Sequence, residues 1–218
     1  MDKPTLAAYI DHTNLKPTAT EGQIKKICEE AKRFQFASVC VNPVHVSFVS
    51  EQLKGTSVKT CSVIGFPLGA HEPQIKAAEA ARAVASGADE VDMVINIGAL
   101  KAGEISRVEE DIRGVVTAAA GRTVKVIIEI CYLDENEKRT ACQCAMKAGA
   151  HFVKTSTGFG SAGATVDDIK LMKFEVGDTM KVKASGGIRT LNDAMAMISA
   201  GADRIGASAG VAIMGELE

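Results

Sequence analysis

The sequence contains no tryptophan, and its only tyrosines are Tyr9 and Tyr132. It has no excess of positive charge: the formal net charge is −2 at pH 7 and the pI is near 6.1. That balance argues against nucleic acid as the main partner, because such partners select a basic surface. No segment approaches the ~20 apolar residues of a membrane span, and the opening "MDKPTLAAYIDHT" lacks the apolar run of a secretory signal. A cytoplasmic protein without a membrane partner is expected. The six cysteines (Cys28, Cys40, Cys61, Cys131, Cys142 and Cys144) form no CxxC pair. They sit in apolar surroundings, as small core residues of a reducing compartment do. The one close pair, Cys142 and Cys144, falls in a helical pattern, where residues two apart point in different directions. His12, His45, His71 and His151 are scattered, and Pro73 directly after Glu72 excludes a zinc-binding HExxH helix. No metal site is expected.

What the chain does have is material for a full core, with 46% hydrophobic residues. Short β-branched runs recur at 8–11, 37–41, 59–64, 90–95, 124–130, 151–155, 181–185 and 203–208. Most are apolar on both faces, the pattern of a parallel sheet covered by helices. Amphipathic helical segments lie between them. Thr20 with Gln23, Asp134 with Glu137, and Thr165 with Asp168 mark helix starts by capping-box spacing. Gly87, Gly149 and Gly201 each follow a helical pattern and precede a strand, as left-handed C-caps do. Dividing 218 residues by eight gives about 27 per unit, and no linker or charge block splits the chain. The expectation is one domain over 1–218, an α/β fold closed as a (β/α)₈ barrel. An open doubly wound sheet stays as the alternative, because periodicity does not distinguish the two.

The stretch "HFVKTSTGFG" (151–160) ends a buried-looking strand on Lys154, and "MKVKASGGIR" (180–189) does the same with Lys183. A charge at the end of a buried strand is costly unless something uses it. In a barrel of this kind, catalytic groups come from the C-terminal ends of strands. Asp11, Cys40, Asp92, Glu129, Lys154 and Lys183 all fall at or near such ends. One reading is a structural ion-pair cluster. The other is a Schiff-base site: one lysine attacks a carbonyl, a second cation depresses its pKa, and the acid moves protons. Lys154 is expected to lie deeper than Lys183 and to be the one that gives up its proton. Gly-rich turns follow both lysines and the last strand, and barrels often hold phosphate in the loops after strands seven and eight. Gly186, Gly187 and Ser208 fit that place, with Gly158 nearby. Arg189 is expected to cap or pair at a helix start, with a phosphate contact as the alternative. Glu129 is a candidate salt-bridge partner of a lysine. Lys181 is expected to share the face of Lys183, deeper or lower in the strand. Lys125 is expected at the opposite rim as a solvated charge.

Five motifs, "IDHTNLKP" (10–17), "CSVIGFPLG" (61–69), "VDMVINIGALK" (91–101), "FVKTSTGF" (152–159) and "VKASGGIRT" (182–190), together resemble the deoxyribose-phosphate aldolase family nearly end to end. The resemblance implies a metal-independent class I aldolase on a TIM barrel, with no cofactor. Such an enzyme reversibly cleaves 2-deoxy-D-ribose 5-phosphate to D-glyceraldehyde 3-phosphate and acetaldehyde, in deoxynucleoside breakdown. It implies Lys154 as the Schiff-base lysine, Lys183 as the lysine that tunes it, and Asp92 as the proton-transfer acid. Asp11, Thr13 and Cys40 would line the region that holds the substrate hydroxyls. Gly158, Gly186, Gly187 and Ser208 would hold the phosphate, and a homodimer is the family-level expectation. Some members carry a tyrosine in a C-terminal tail that assists proton transfer. This chain ends "GELE" and its tyrosines are Tyr9 and Tyr132, so either that function is absent or water performs it. The rival readings are another class I aldolase or transaldolase-like enzyme, a metal-dependent aldolase, and a phosphate-ligand binding protein that keeps the barrel without the chemistry.

Overall fold

The computed structural model describes residues 1–217, so Glu218, the last residue of the expected domain, lies outside the described residues. Eight parallel strands pair in sequence order: β1 (Ile10–Asn14), β2 (Ser38–Val41), β3 (Lys59–Ile64), β4 (Glu90–Val94), β5 (Thr123–Ile127), β6 (Phe152–Lys154), β7 (Lys181–Ser185) and β8 (Arg204–Ala207). β8 pairs back onto β1, with Ile10 opposite Ile205, and the sheet closes into a barrel. Closure removes the open-sheet alternative. The helices are α1 (Lys3–Ala7), α2 (Glu21–Phe34), α3 (Val46–Leu53), α4 (Pro73–Ala85), α5 (Ile97–Lys101), α6 (Ile105–Ala118), α7 (Glu135–Lys147), α8 (Val166–Val176), α9 (Leu191–Ser199) and α10 (Gly210–Gly215).

Local chemistry sets the boundaries. Thr20 and Gln23 form a reciprocal capping box at α2, and Asp134 and Glu137 form one at α7. At α8 only half of the expected box forms. The Asp168 amide donates to the Thr165 hydroxyl, but Asp168 spends a carboxylate oxygen on that same hydroxyl instead of the Thr165 amide. A further box, Thr190 with Asp193, starts α9. Gly87, Gly149 and Gly201 adopt φ of 103°, 82° and 113°, the conformation that ends α4, α7 and α9 without a Cβ penalty. The fifth strand stops at Ile127, not at 130. Glu129 turns to φ 54°, which an extended strand does not accommodate.

An aliphatic layer fills the space between strands and helices, including Ile24, Val39, Met93, Ile112, Val126, Ile169 and Ile205, all buried. A second, small cluster joins Leu15, Cys40, Cys61 and Val63, with Phe66 packed against it. Among the other strand side chains, Asp11, Glu90, Asp92, Lys125, Lys154 and Lys183 are charged and buried. Asp92 on β4 pairs with Lys183 on β7, and these strands are not neighbours, so the contact crosses the barrel interior. The aliphatic shell therefore holds a polar core, and that core leads to the site.

Candidate active site

Register brings the two lysines together: Lys154 and Lys183 are direct partners on β6 and β7. Both ammonium groups donate to the same oxygen of Asp92, Lys154 at 2.8 Å and Lys183 at 2.7 Å. The other Asp92 oxygen accepts from Lys125 at 2.8 Å and from the Cys61 thiol at 3.2 Å. Lys183 also pairs with Asp11 at 2.6 Å, and Lys125 with Glu90. Arg204 closes the cluster on Asp11 and Glu90, while the Ser38 hydroxyl donates to Asp11 at 2.6 Å.

The placement of Lys125 corrects the expectation of a solvated rim charge. It is the third residue of β5, lies opposite Asp92 in register, and is fully buried. Lys181, by contrast, takes the lower of the two expected positions, exposed at the start of β7 and 5.7 Å from the Phe152 ring centroid. The depth order of the paired lysines is also reversed. Lys183 is 0% exposed, whereas Lys154 is 3% exposed and lines the cavity at the barrel mouth. Glu129 pairs with no lysine; its carboxylate accepts from Thr157.

Counting charges distinguishes the amines of the cluster. The cluster holds four cations (Lys125, Lys154, Lys183, Arg204) and three carboxylates (Asp11, Glu90, Asp92). With every group ionised it carries one excess positive charge in a buried setting, which is unfavourable. Loss of one proton balances it. Lys183, Lys125 and Arg204 each reach at least two carboxylates, but Lys154 reaches Asp92 alone. Lys154 is therefore the least supported cation and the one that meets the cavity.

The electrostatics of the other members fix their states. Burial by itself would raise the Asp92 carboxyl, but Lys125, Lys154 and Lys183 hold it well below the usual carboxylate range. Burial opposes the charge on Lys183, yet Asp11 and Asp92 hold it above a normal lysine. Lys125 is raised in the same way by Asp92 and Glu90 against its burial. The stability contributed by Asp92 is present above its unfolded value near 3.8 and is lost as pH falls through the depressed folded value. That contributed by Lys125 and Lys183 is present below 10.5 and is lost as pH rises through their raised values. The share that Asp92, Lys125 and Lys183 contribute to the unfolding free energy is thus expected to stay flat from about pH 5 to about pH 9 in urea titrations. A step inside that window that disappears in Lys183→Leu would contradict this assignment.

The cavity has a volume of about 580 Å³, ample for a phosphorylated sugar. Its wall includes Thr13, Lys154, Gly158, Gly186, Gly187 and Ser208. Its remaining charged residues are Lys16 and Arg189, and no carboxylate among the described residues lines it. The Arg189 amide donates to Asp193 at 3.0 Å, the helix-start role that was expected, while the residue also lines the cavity. Asp11 and Cys40 are absent from the wall, contrary to expectation. Asp11 is spent on Lys183, Arg204 and Ser38 beneath it, and Cys40 is buried with Leu15, Cys61 and Val63. Lys183 and Asp92 also lie behind the wall and reach the cavity through Lys154. Neither Tyr9 nor Tyr132 lines it. Cys40, Cys61 and Asp92 place ligand atoms within 4.8 Å of one another, but a divalent cation there would face the three lysines that already occupy Asp92. Sequence reasoning missed Lys125, Glu90, Arg204, Lys16 and Ser38. The signal was present for three of them, as charges inside otherwise apolar strand runs.

A barrel whose mouth presents an amine, backed by a fixed cation and a carboxylate, belongs to the class of enzymes that act on carbonyl compounds through lysine. Residues 5–215 match the DeoC/LacD family aldolases. The chain is 60% identical over 209 residues to a deoxyribose-phosphate aldolase of Streptococcus gordonii, covering 96% of this chain and 95% of the relative. It is 62% identical over 205 residues to the deoxyribose-phosphate aldolase of Thermotoga maritima, covering 94% and 83%. The fold superposes on a deoxyribose phosphate aldolase from Aeropyrum pernix, described as a unique tetramer, with a TM-score of 0.92 and 34% identity over 98% of this chain and 91% of that one. The chain belongs to the DeoC/LacD aldolase family.

Proposed function

We propose that this protein is a class I aldolase that reversibly cleaves 2-deoxy-D-ribose 5-phosphate to D-glyceraldehyde 3-phosphate and acetaldehyde, with Lys154 as the nucleophile. The observation that carries this reading is the single cavity-facing amine of a buried cluster with one cation too many. Relatives at 60% and 62% identity named for this activity support the substrate.

Neutral Lys154 adds to the sugar aldehyde, and loss of water gives an iminium. Its positive nitrogen draws electrons from the bond between the carbons α and β to the imine. The hydroxyl on the far carbon gives up its proton, that bond breaks, and glyceraldehyde 3-phosphate leaves behind an enamine. Protonation of the enamine carbon and hydrolysis of the resulting imine release acetaldehyde and restore the amine. Asp92 shares one oxygen between Lys154 and Lys183, so a proton can pass along that oxygen and a water without moving heavy groups. Lys183, anchored by Asp11, stays cationic and holds Asp92 in place. This replaces the expectation that Lys183 acts chiefly by repelling Lys154.

Gly158, Gly186, Gly187 and Ser208 are assigned to the phosphate, through backbone N–H groups and the hydroxyl, with Lys16 and Arg189 supplying charge. Thr13 is assigned to the sugar hydroxyls, while Asp11 and Cys40 support the wall from behind. Gly187 has φ 81° and open space where a Cβ would point, so a side chain there strains the loop and intrudes on the site. Gly187→Val is expected to raise KM for deoxyribose 5-phosphate by at least about tenfold, and far more than for free 2-deoxyribose. Equal damage to both substrates would remove the phosphate role. No helix among the described residues is long and apolar enough to cross a membrane. The six free cysteines fit a reducing, cytoplasmic setting. Self-association as a homodimer belongs to the same reading and is measurable by sedimentation.

A further inference from the structure

We infer that Glu129 is a positioning residue that sets the phosphate end of the cavity through Thr157, without touching substrate. The inference rests on the phosphate reading above. Glu129 follows β5 at φ 54°, a conformation that non-glycine residues rarely adopt. Its side chain is buried at 1% exposure, and its hydrogen bonds come from Thr157 rather than from any cation among the described residues. Buried carboxylates are ordinarily paired with a cation. One held only by a neutral loop points to a need for that loop to be fixed.

The clamp runs through three residues. The Thr157 amide donates to both Glu129 oxygens, at 3.2 and 3.3 Å, and the Thr157 hydroxyl donates to one of them. That hydroxyl in turn accepts from the Phe159 amide at 3.0 Å. Gly160 then passes so close that a Cβ would lie 2.6 Å from Cys131 Sγ and 3.4 Å from Glu129 Cδ. Thr157, Gly158 and Phe159 all line the cavity. The Lys154 amine is held separately, because it donates to Asp92 at 2.8 Å and its neighbour Thr155 bonds to the Lys183 carbonyl at 3.1 Å. Loosening Glu129 therefore moves the loop that carries Gly158 and leaves the amine in place.

Glu129→Gln keeps the size but offers one acceptor oxygen for two Thr157 donors. Amide exchange at Thr157 and Phe159 is expected to quicken. KM for deoxyribose 5-phosphate should rise about tenfold while kcat stays within about twofold. Turnover of free 2-deoxyribose, and borohydride trapping of acetaldehyde on Lys154, should not change. If the glutamine variant does not fold, Glu129→Gly removes the clamp and the unfavourable backbone together and gives the same readouts. Unchanged exchange at both amides overturns the clamp, whatever the ligand. Faster exchange with equal loss on both sugars, or with a fall in kcat, overturns the assignment to the phosphate end. A wild-type enzyme that does not distinguish the two sugars would sink the phosphate reading itself, and the exchange measurement would still judge the clamp.

Discussion

Lys154→Leu is expected to lose turnover by a factor on the order of 10⁴ or more, because removal of a covalent nucleophile is among the largest single effects known. The fold should survive. Leu removes an amine with one carboxylate partner, and Asp92 keeps Lys125 and Lys183. The remaining cluster has three cations and three carboxylates, so the melting temperature should hold or rise. Borohydride reduction of the wild-type protein with acetaldehyde should add one ethyl group to the peptide that contains Lys154. Label on Lys183 instead would reverse the assignment, and trapping that fails altogether would favour a binding protein. A preparation inactivated by EDTA would point to metal-dependent aldol chemistry.

Asp92→Asn is expected to reduce turnover by about 10²–10⁴-fold, the usual share of a general acid–base group. Imine formation on Lys154 should persist, since the amine itself remains. This variant differs from the first in its effect on the fold. Asp92 is the one carboxylate shared by Lys125, Lys154 and Lys183, and a neutral amide leaves the buried Lys125 and Lys183 cations underpaired. Removing one partner of a buried pair costs roughly 3–5 kcal/mol, so the midpoint of urea unfolding should fall with turnover. The trapping rate under conditions where the variant stays folded separates the two effects. Near-normal turnover there would reduce Asp92 to a structural brace.

Barrel and site were legible in the sequence to different depths. The strands stood out as apolar runs, and their alternation with capped helical segments gave the (β/α)₈ pattern, because burial on both faces and N-capping are local demands. The lysines and Asp92 were conspicuous because a charge in an apolar strand is costly unless a partner or a reaction uses it. Lys125 has the same signature, yet it was placed on the wrong rim. Its meaning depends on register with Asp92, which the chain order does not reveal. Asp11 and Cys40 were assigned to the cavity wall by resemblance, but the stagger of the barrel sets them beneath it.

The sequence by itself determined which chemistry was available: two strand-end lysines, an acid, glycine turns for an anion, and an aliphatic shell to bury them. Only the tertiary structure decided how the two lysines differ. The difference lies in how many carboxylates each amine reaches across the barrel interior and in which of them meets the cavity. Lys183 finds Asp11 and Asp92, Lys154 finds Asp92 alone, and these contacts join residues as far apart in the chain as Asp11 and Arg204. Charge balance in a closed, water-poor interior is a property of the whole set, so no local pattern of residues encodes it.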